Sequence, residues 1–368
     1  MYHFPNSTTN RQIFFLLFIA ITSYATINLP KIMAESAGRI SWIPILITAL
    51  IFGFAAVMIA KLNIMNEEKV LFDYGVGIVG KKLTYLIAIF YLLYFIIIGS
   101  YLKLQIIGFL NSNFLPLTPN FVLLIVGITL FGYIANKGIT NVGRLVEIIG
   151  LFFILITIVL CIYMIAQGMH MNILPLIDPL EIKFIVPSMK YTLLAFGGAE
   201  ILFIIPFTKN NKKVRKQAYN TLIFIGFFYV LAVESTIMIL GINNTIMLND
   251  SFIEAIKIVE LPVIERTDIF YLTFGLTSLF AGQIVVYTAA LEFSCKIFPK
   301  VKRNILTIIL CVIFITLCMI GLEINNMGEI FNIFLPYIVT IASLLIPTIL
   351  FIVAKIKQRL NKPKDEGE

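Results

Sequence analysis

The chain has 368 residues, of which 60% are hydrophobic and 13% charged, with a net charge of +8 and a mean hydropathy of +0.98. Soluble domains are nearer about 45–50% apolar and about 25% charged, so the surplus apolar surface calls for lipid as solvent and leaves little chain for a separate soluble domain.

A bilayer core takes roughly 20 apolar residues per helix. Runs of that kind predict ten transmembrane helices, near 13–30, 42–60, 83–110, 120–134, 145–167, 185–207, 218–241, 269–293, 305–321 and 330–354. The first run, flanked by Arg11, resembles a signal peptide only superficially, because further spans follow it instead of a soluble domain. The expected fold class is an all-α integral membrane protein forming a single transmembrane domain, 1–368. Its inverted halves lie at about 11–167 and 184–354, and 355–368 is a cytoplasmic tail.

Of the 28 Lys and Arg residues, 21 fall in segments that are inside if the N-terminus is inside, and seven fall outside (Lys31, Arg39, Lys103, Lys183, Lys190, Lys257 and Arg266). That bias predicts both ends in the cytoplasm. It also accounts for the positive charge as topology and contact with the anionic lipid bilayer, so no nucleic acid is expected as a partner. The basic run from Lys209 to Lys216 reads as a cytoplasmic loop. In the long outer loop 242–268, Phe252, Ile253, Ile256 and Val259 recur at helical spacing, which predicts an amphipathic helix on the outer surface.

Two spans are interrupted. In the first, Ser23-Tyr24-Ala25-Thr26-Ile27-Asn28-Leu29-Pro30 closes an apolar run with small and polar residues and a proline, an awkward set for an unbroken lipid-facing helix. In the sixth, Phe196-Gly197-Gly198-Ala199-Glu200 sets two glycines, each costing a helix about 1 kcal/mol relative to Ala, beside an acid that costs at least about 2.5 kcal/mol at mid-membrane. Such acids face cavities that serve an ion or substrate path, and a break beside one exposes backbone groups able to bind a small zwitterion. Ten spans divide five and five, and an odd number per half inverts the second half. Breaks at matching places in inverted halves mark a mid-membrane transporter-type site.

Other positions fill out the reading. Tyr91, Tyr94, Tyr101 and Gln105 fall within about 80° of one another around the third helix, a polar–aromatic face suited to a cavity or to core packing. Tyr287 and Thr288 lie deep in the eighth span, and Glu234 is a second intramembrane acid without a break beside it. Candidate ligand-binding residues are therefore Tyr24, Ala25, Thr26, Asn28, Tyr101, Phe196, Gly197, Gly198, Glu200 and Tyr287. Gly75-Val76-Gly77-Ile78-Val79-Gly80 fits a dinucleotide fingerprint, but no strand precedes it and no βαβ unit surrounds it. The four cysteines lack a loop partner and the two histidines lack metal-ligand spacing, so no disulfide, metal or cofactor is expected. No nucleophile–base pair points to an enzyme.

Phe196, Gly198 and Glu200 resemble the F-x-G-x-E signature in the sixth helix of the amino acid–polyamine–organocation transporters. Within that superfamily the chain, with its length, ten spans, Glu265-Arg266-Thr267-Asp268 and short basic tail, resembles the spore germination permease family. The first helix departs from the superfamily, carrying Ala25-Thr26-Ile27-Asn28 where a glycine-rich break is usual. The resemblance implies a LeuT-like five-plus-five fold in the inner membrane of the spore or cell. It also implies a germinant-receptor B subunit that binds a small germinant, often an amino acid, beside A- and C-type subunits. A proton-coupled amino acid transporter with Glu200 as proton carrier is the alternative.

Overall fold

The structure, a computed structural model, describes residues 8–66, 69–177, 179–205, 213–259, 268–324 and 327–360. Among them there is no strand. The helices are α1 (Asn10–Ala37), α2 (Trp42–Met65), α3 (Leu71–Val79), α4 (Lys81–Asn113), α5 (Asn120–Ala135), α6 (Ile139–Gln167), α7 (Ile185–Ala195), α8 (Val214–Met247), α9 (Ser251–Ile258), α10 (Asp268–Ile297), α11 (Arg303–Glu323), α12 (Met327–Thr340) and α13 (Ile346–Leu360). Seven helical segments are long and apolar enough to cross a membrane, and the bent α1 makes an eighth. The apolar but short α5 and the interrupted α7 stand at the fourth and sixth expected positions. Exposed side chains such as Leu86, Val126, Ile148, Phe227, Ile308 and Phe334 would be costly in water and are natural in lipid.

The sixth segment does break where its glycines stand. Helix α7 ends at Ala195, three turn residues follow, and Ala199–Ile204 is a short 3₁₀ helix. Gly198 has φ +133°, and a Cβ there would meet Ile21 Cγ1 of α1 at 2.8 Å; a Cβ on Gly197 would meet Val339 of α12 at 2.9 Å. The break is thus pressed between the first and last spans, and only glycine fits both its backbone and its surroundings.

The first span behaves differently from its expected break at Thr26–Asn28. It bends by 50° between Asn10–Ser23 and Ala25–Ile40 and stays helical through Pro30. Two threonines explain why bending suffices. Thr22 and Thr26 donate to Phe18 O and Thr22 O at 2.7 and 2.8 Å, and such back-bonding bends a helix. The missing N–H of Pro30 falls one turn further on. The Tyr24 side chain lies outside the described residues, as do 206–212, part of the basic run, and 260–267, most of the Glu265–Asp268 motif.

Three other expectations change. Helix α9 exists, but its apolar face (Phe252, Ile253, Ile256) is fully buried against α8, α1 and α10 instead of lying on lipid. Lys103, counted with the outer loops, is buried on α4 with its ammonium 5.0 Å from the Phe131 ring centroid. The tenth span is split: α12 and α13 are joined by a π-helical turn, Ile341–Leu345. The glycine fingerprint, by contrast, lies on α3 and its cap, an α-helical setting with no phosphate-binding βα turn.

The side toward α3 is closed by polar ties. Asn63 Nδ2 of α2 donates to Leu202 O of the 3₁₀ segment at 2.6 Å, and Tyr74 of α3 donates to Asn63 Oδ1 at 2.8 Å. Lys296 at the end of α10 reaches Asp73 of α3 at 2.8 Å, a half-exposed pair worth little by itself. Replacing Asn63 by Leu strands the Leu202 carbonyl and the Tyr74 hydroxyl in the core. It should lower stability by about 1–3 kcal/mol, read as a fall in the unfolding temperature of the detergent-solubilised protein against Asn63→Asp and wild type.

Candidate functional site

The site lies where the bend of α1 meets the break after α7. A helix that stops inside the membrane leaves N–H and C=O groups that water cannot reach, so protein must pair them. The carbonyl ends are joined by Tyr229 of α8. Its hydroxyl donates to Ile21 O of α1 at 2.8 Å and is 3.0 Å from Ala195 O, the last carbonyl of α7. One phenol therefore clasps both interrupted spans. Its ring lies edge-on to Phe196 at 5.2 Å, and Phe196 packs on Phe52 at 5.9 Å.

Glu200 serves the other half of the break. The residue is buried, 1% exposed. Tyr94 of α4 donates to Oε1 at 2.5 Å, Ser343 of the π-turn donates to Oε2 at 2.5 Å, and the Gly198 N–H donates to Oε2 at 3.1 Å. The carboxyl thus caps its own chain break and ties it to the third and tenth spans. Next to it, Tyr91 donates to Ala342 O at 2.7 Å. That carbonyl belongs to the π-turn, where the regular helix pattern is interrupted, and π-turns are frequent at functional sites.

Beside this break is a cavity of about 80 Å³, room for roughly two or three waters at about 30 Å³ each. Its walls are Ala20, Ile21, Ser23, Ala25, Asn28, Leu29 and Ile32 of α1, Ile98, Tyr101 and Leu102 of α4, and Tyr191, Leu194, Ala195 and Gly197 at the end of α7. It shares Asn28, Ile32, Tyr101 and Tyr191 with a polar vestibule of about 970 Å³ that carries Lys31, Glu35, Gln105, Lys190, Asp250 and Asn332. The vestibule is on the face of Lys31 and Lys190, the outer face in the topology expected from charge. The mouth is thus wide and charged and the chamber small and mainly apolar, with α3 closing the far side.

Of the sequence candidates, Ala25, Asn28, Tyr101 and Gly197 line the cavity. Thr26, Phe196, Gly198 and Glu200 do not, though each lies within the bend or the break. Tyr287 is elsewhere. Its hydroxyl donates to Thr307 O at 2.9 Å and lies 3.0 Å from Cys311 Sγ, so it is consumed in packing α10 on α11. The expected tyrosine face of α4 divides: Tyr91 and Tyr94 hold the break, whereas Tyr101 and Gln105 face the vestibule. Tyr191, Tyr229, Asn63 and Ser343 were missed. Their signal was present in the sequence, since a lone polar group in an apolar run must find a partner, but nothing local names that partner.

These features define first a class, a multi-pass membrane protein with a LeuT-like transporter fold. The chain matches the solved structure of MhsT in complex with L-phenylalanine with a TM-score of 0.68, covering 92% of this chain and 87% of that one, at 13% identity. That likeness speaks for the fold, the arrangement predicted from the interrupted first and sixth spans. A family model described as spore germination protein, the spore permeases, matches residues 8–327, and the chain belongs to that family. Relatives include spore germination protein YndE of Bacillus subtilis (strain 168), 25% identical over 325 residues that make up 87% of this chain and 89% of that protein. Spore germination protein B2 of the same organism is 22% identical over 303 residues, 80% of this chain and 81% of that one. The family and fold are those of permeases and transporters.

Tyr229→Phe removes one oxygen and leaves the ring contacts in place. It should cost about 1–2 kcal/mol, one buried hydroxyl bridge. Amide exchange by mass spectrometry should rise in peptides spanning Ile21 and Ala195, and unchanged exchange in both would show that the clasp is dispensable.

Proposed function

We propose that this chain is the B-type subunit of a germinant receptor, and that it takes a small germinant, in the first instance an amino acid, from the outer face. The ligand enters the vestibule, passes Asn28, Tyr101 and Tyr191, and settles between the bend of α1 and the break after α7. The observation that carries this reading is the continuity of the charged vestibule with the cavity beside Ala195–Gly197, on a bundle closed toward α3. A vestibule with Lys31, Lys190, Glu35 and Asp250 offers both signs of charge to a zwitterion, and the apolar chamber beyond it suits a short side chain. MhsT, whose fold this chain shares, is seen with L-phenylalanine.

Signalling follows from the ties around the chamber. A ligand wedged between the bend and the break displaces the carbonyls that Tyr229 holds and the segment that Glu200 holds. The shift then passes through Tyr94 to α4 and through Ser343 to the last span. A- and C-type subunits in the inner membrane of the spore or cell, with the N- and C-termini of this chain inside, would read that movement. One observation favours the transporter alternative: Glu200 is an acid buried in the chain break, within the part of the molecule that alternating access would move.

Proteoliposomes holding the full chain separate the two. Saturable binding of radiolabelled amino acids without accumulation is expected, and accumulation that grows with an imposed proton gradient would replace the receptor reading by the transporter one. Leu194→Phe, which fills the chamber, should weaken binding at least about tenfold, or 1.4 kcal/mol. Glu200→Gln keeps the shape but turns an acceptor into a donor; it should abolish the germination response while the protein still inserts at normal level, and a normal response would remove Glu200 from the mechanism.

A further inference from the structure

Four charged side chains line the vestibule, Lys31, Glu35, Lys190 and Asp250, and they are not equally engaged. Lys31 of α1 donates to Asn249 Oδ1 at 2.9 Å, and Asp250 accepts from Asn113 Nδ2 at 3.1 Å. Among the described residues, the side chains of Glu35 and Lys190 have no hydrogen bond and no ion pair, either with each other or with a neighbour. The Lys190 ammonium lies instead 4.8 Å from the centroid of the Tyr191 ring. Tyr191 is one of the residues shared by the vestibule and the chamber, so the free ammonium rests on a wall of the neck between them. Both residues belong to α7, with Tyr191 one turn before Ala195, whose carbonyl is 3.0 Å from the Tyr229 hydroxyl.

We infer that Lys190 receives the carboxylate of the ligand and makes that group a condition for passing the neck; the inference rests on the reading of the chamber as a germinant site. An ammonium over a partly exposed aromatic face is weakly held, whereas a hydrogen bond between two charged groups is among the strongest a protein makes. A carboxylate arriving in the vestibule therefore draws Lys190 off the ring, and Tyr191 loses its cation while the ligand stands beside it. Glu35, on the α1 wall, takes the ligand's ammonium. Lys31 is the poorer receptor for the carboxylate, because turning to the ligand would abandon its bond to Asn249. The class admitted is a zwitterionic α-amino acid whose side chain is short and apolar enough for the chamber of about 80 Å³. An amide or amine of the same shape gives Lys190 nothing to move to, and the ring keeps its cation. A displaced Tyr191 moves the end of α7 that Tyr229 clasps, which joins recognition of the carboxylate to the shift proposed above.

The test uses the full chain in proteoliposomes. The probes are radiolabelled L-alanine, L-valine and L-leucine, and the competitors are the carboxamide and the decarboxylated amine of each. Wild type should bind at least one of the amino acids saturably and prefer it to its amide and its amine by at least about tenfold. Lys190→Met, which keeps most of the length and loses the charge, should bring that ratio to within about twofold. Lys190→Arg, which keeps the charge, should retain the preference, an outcome that a merely structural role for the side chain would not require. Equal affinity for acid, amide and amine in wild type, or a preference that survives Lys190→Met, would overturn this inference and leave the chamber as a germinant site. Binding of none of the three amino acids would overturn both.

Discussion

A helix interrupted inside a bilayer must have its freed backbone groups met by protein, and the arrangement of this molecule turns on that requirement. The sixth span gives up its regular ladder at Phe196–Gly198, where water cannot stand in. Three side chains take over, two of them from other spans: Tyr229 at the Ala195 carbonyl, the span's own Glu200 at the Gly198 amide, and Asn63 at the Leu202 carbonyl. Each of these is itself held, by Ile21 O, by Tyr94 and Ser343, and by Tyr74 respectively. Satisfying the break therefore stitches it to spans one, two, three, seven and ten at once. An unpaired buried group costs about 1–3 kcal/mol, so these links are strong enough to hold a conformation and few enough to be rearranged.

The same economy shapes the first span. Its threonines fold back on their own carbonyls, which lets the helix bend without opening. The two interrupted spans are thus unequal partners, a flexed helix against a truly broken one. The cavity between them inherits that asymmetry. Half of its lining residues are on α1, and the others come from α4 and from the end of α7 with its break. A ligand there would meet apolar side chains on one side and a chain break on the other, a setting in which a small displacement changes which groups are paired.

Charge is distributed with comparable consistency. Ion pairs are kept to the ends of the bundle, as at Lys296–Asp73 and Arg11–Glu147. Among the described residues, the exceptions inside it are Glu200, Glu234 and Lys103. Glu200 has three donors, Lys103 has an aromatic face, and Glu234 has the Ser41 hydroxyl at 2.9 Å.

Much of this was legible in the amino-acid sequence. Apolar runs, basic loops and the Gly197-Gly198 pair beside Glu200 determine a multi-pass helical protein with a break in the sixth span, because hydropathy and glycine's helix cost act locally. Asn28 and Tyr101 could be nominated for the cavity for the same reason: polar groups in apolar runs must face something. Which partners they meet was decided only by the tertiary structure. Asn63 and Leu202 are separated by 139 residues, Tyr94 and Glu200 by 106, and Ser343 and Glu200 by 143. Tyr287 and Tyr229 look alike in sequence, yet the first locks α10 to α11 and the second clasps the site, because a tyrosine's role depends on which carbonyl the packing brings within reach of its hydroxyl. The bend in α1 was hidden for a related reason: Pro30 and Asn28 suggest unwinding, and only the back-bonded threonines and the neighbouring helices determine that the chain stays helical.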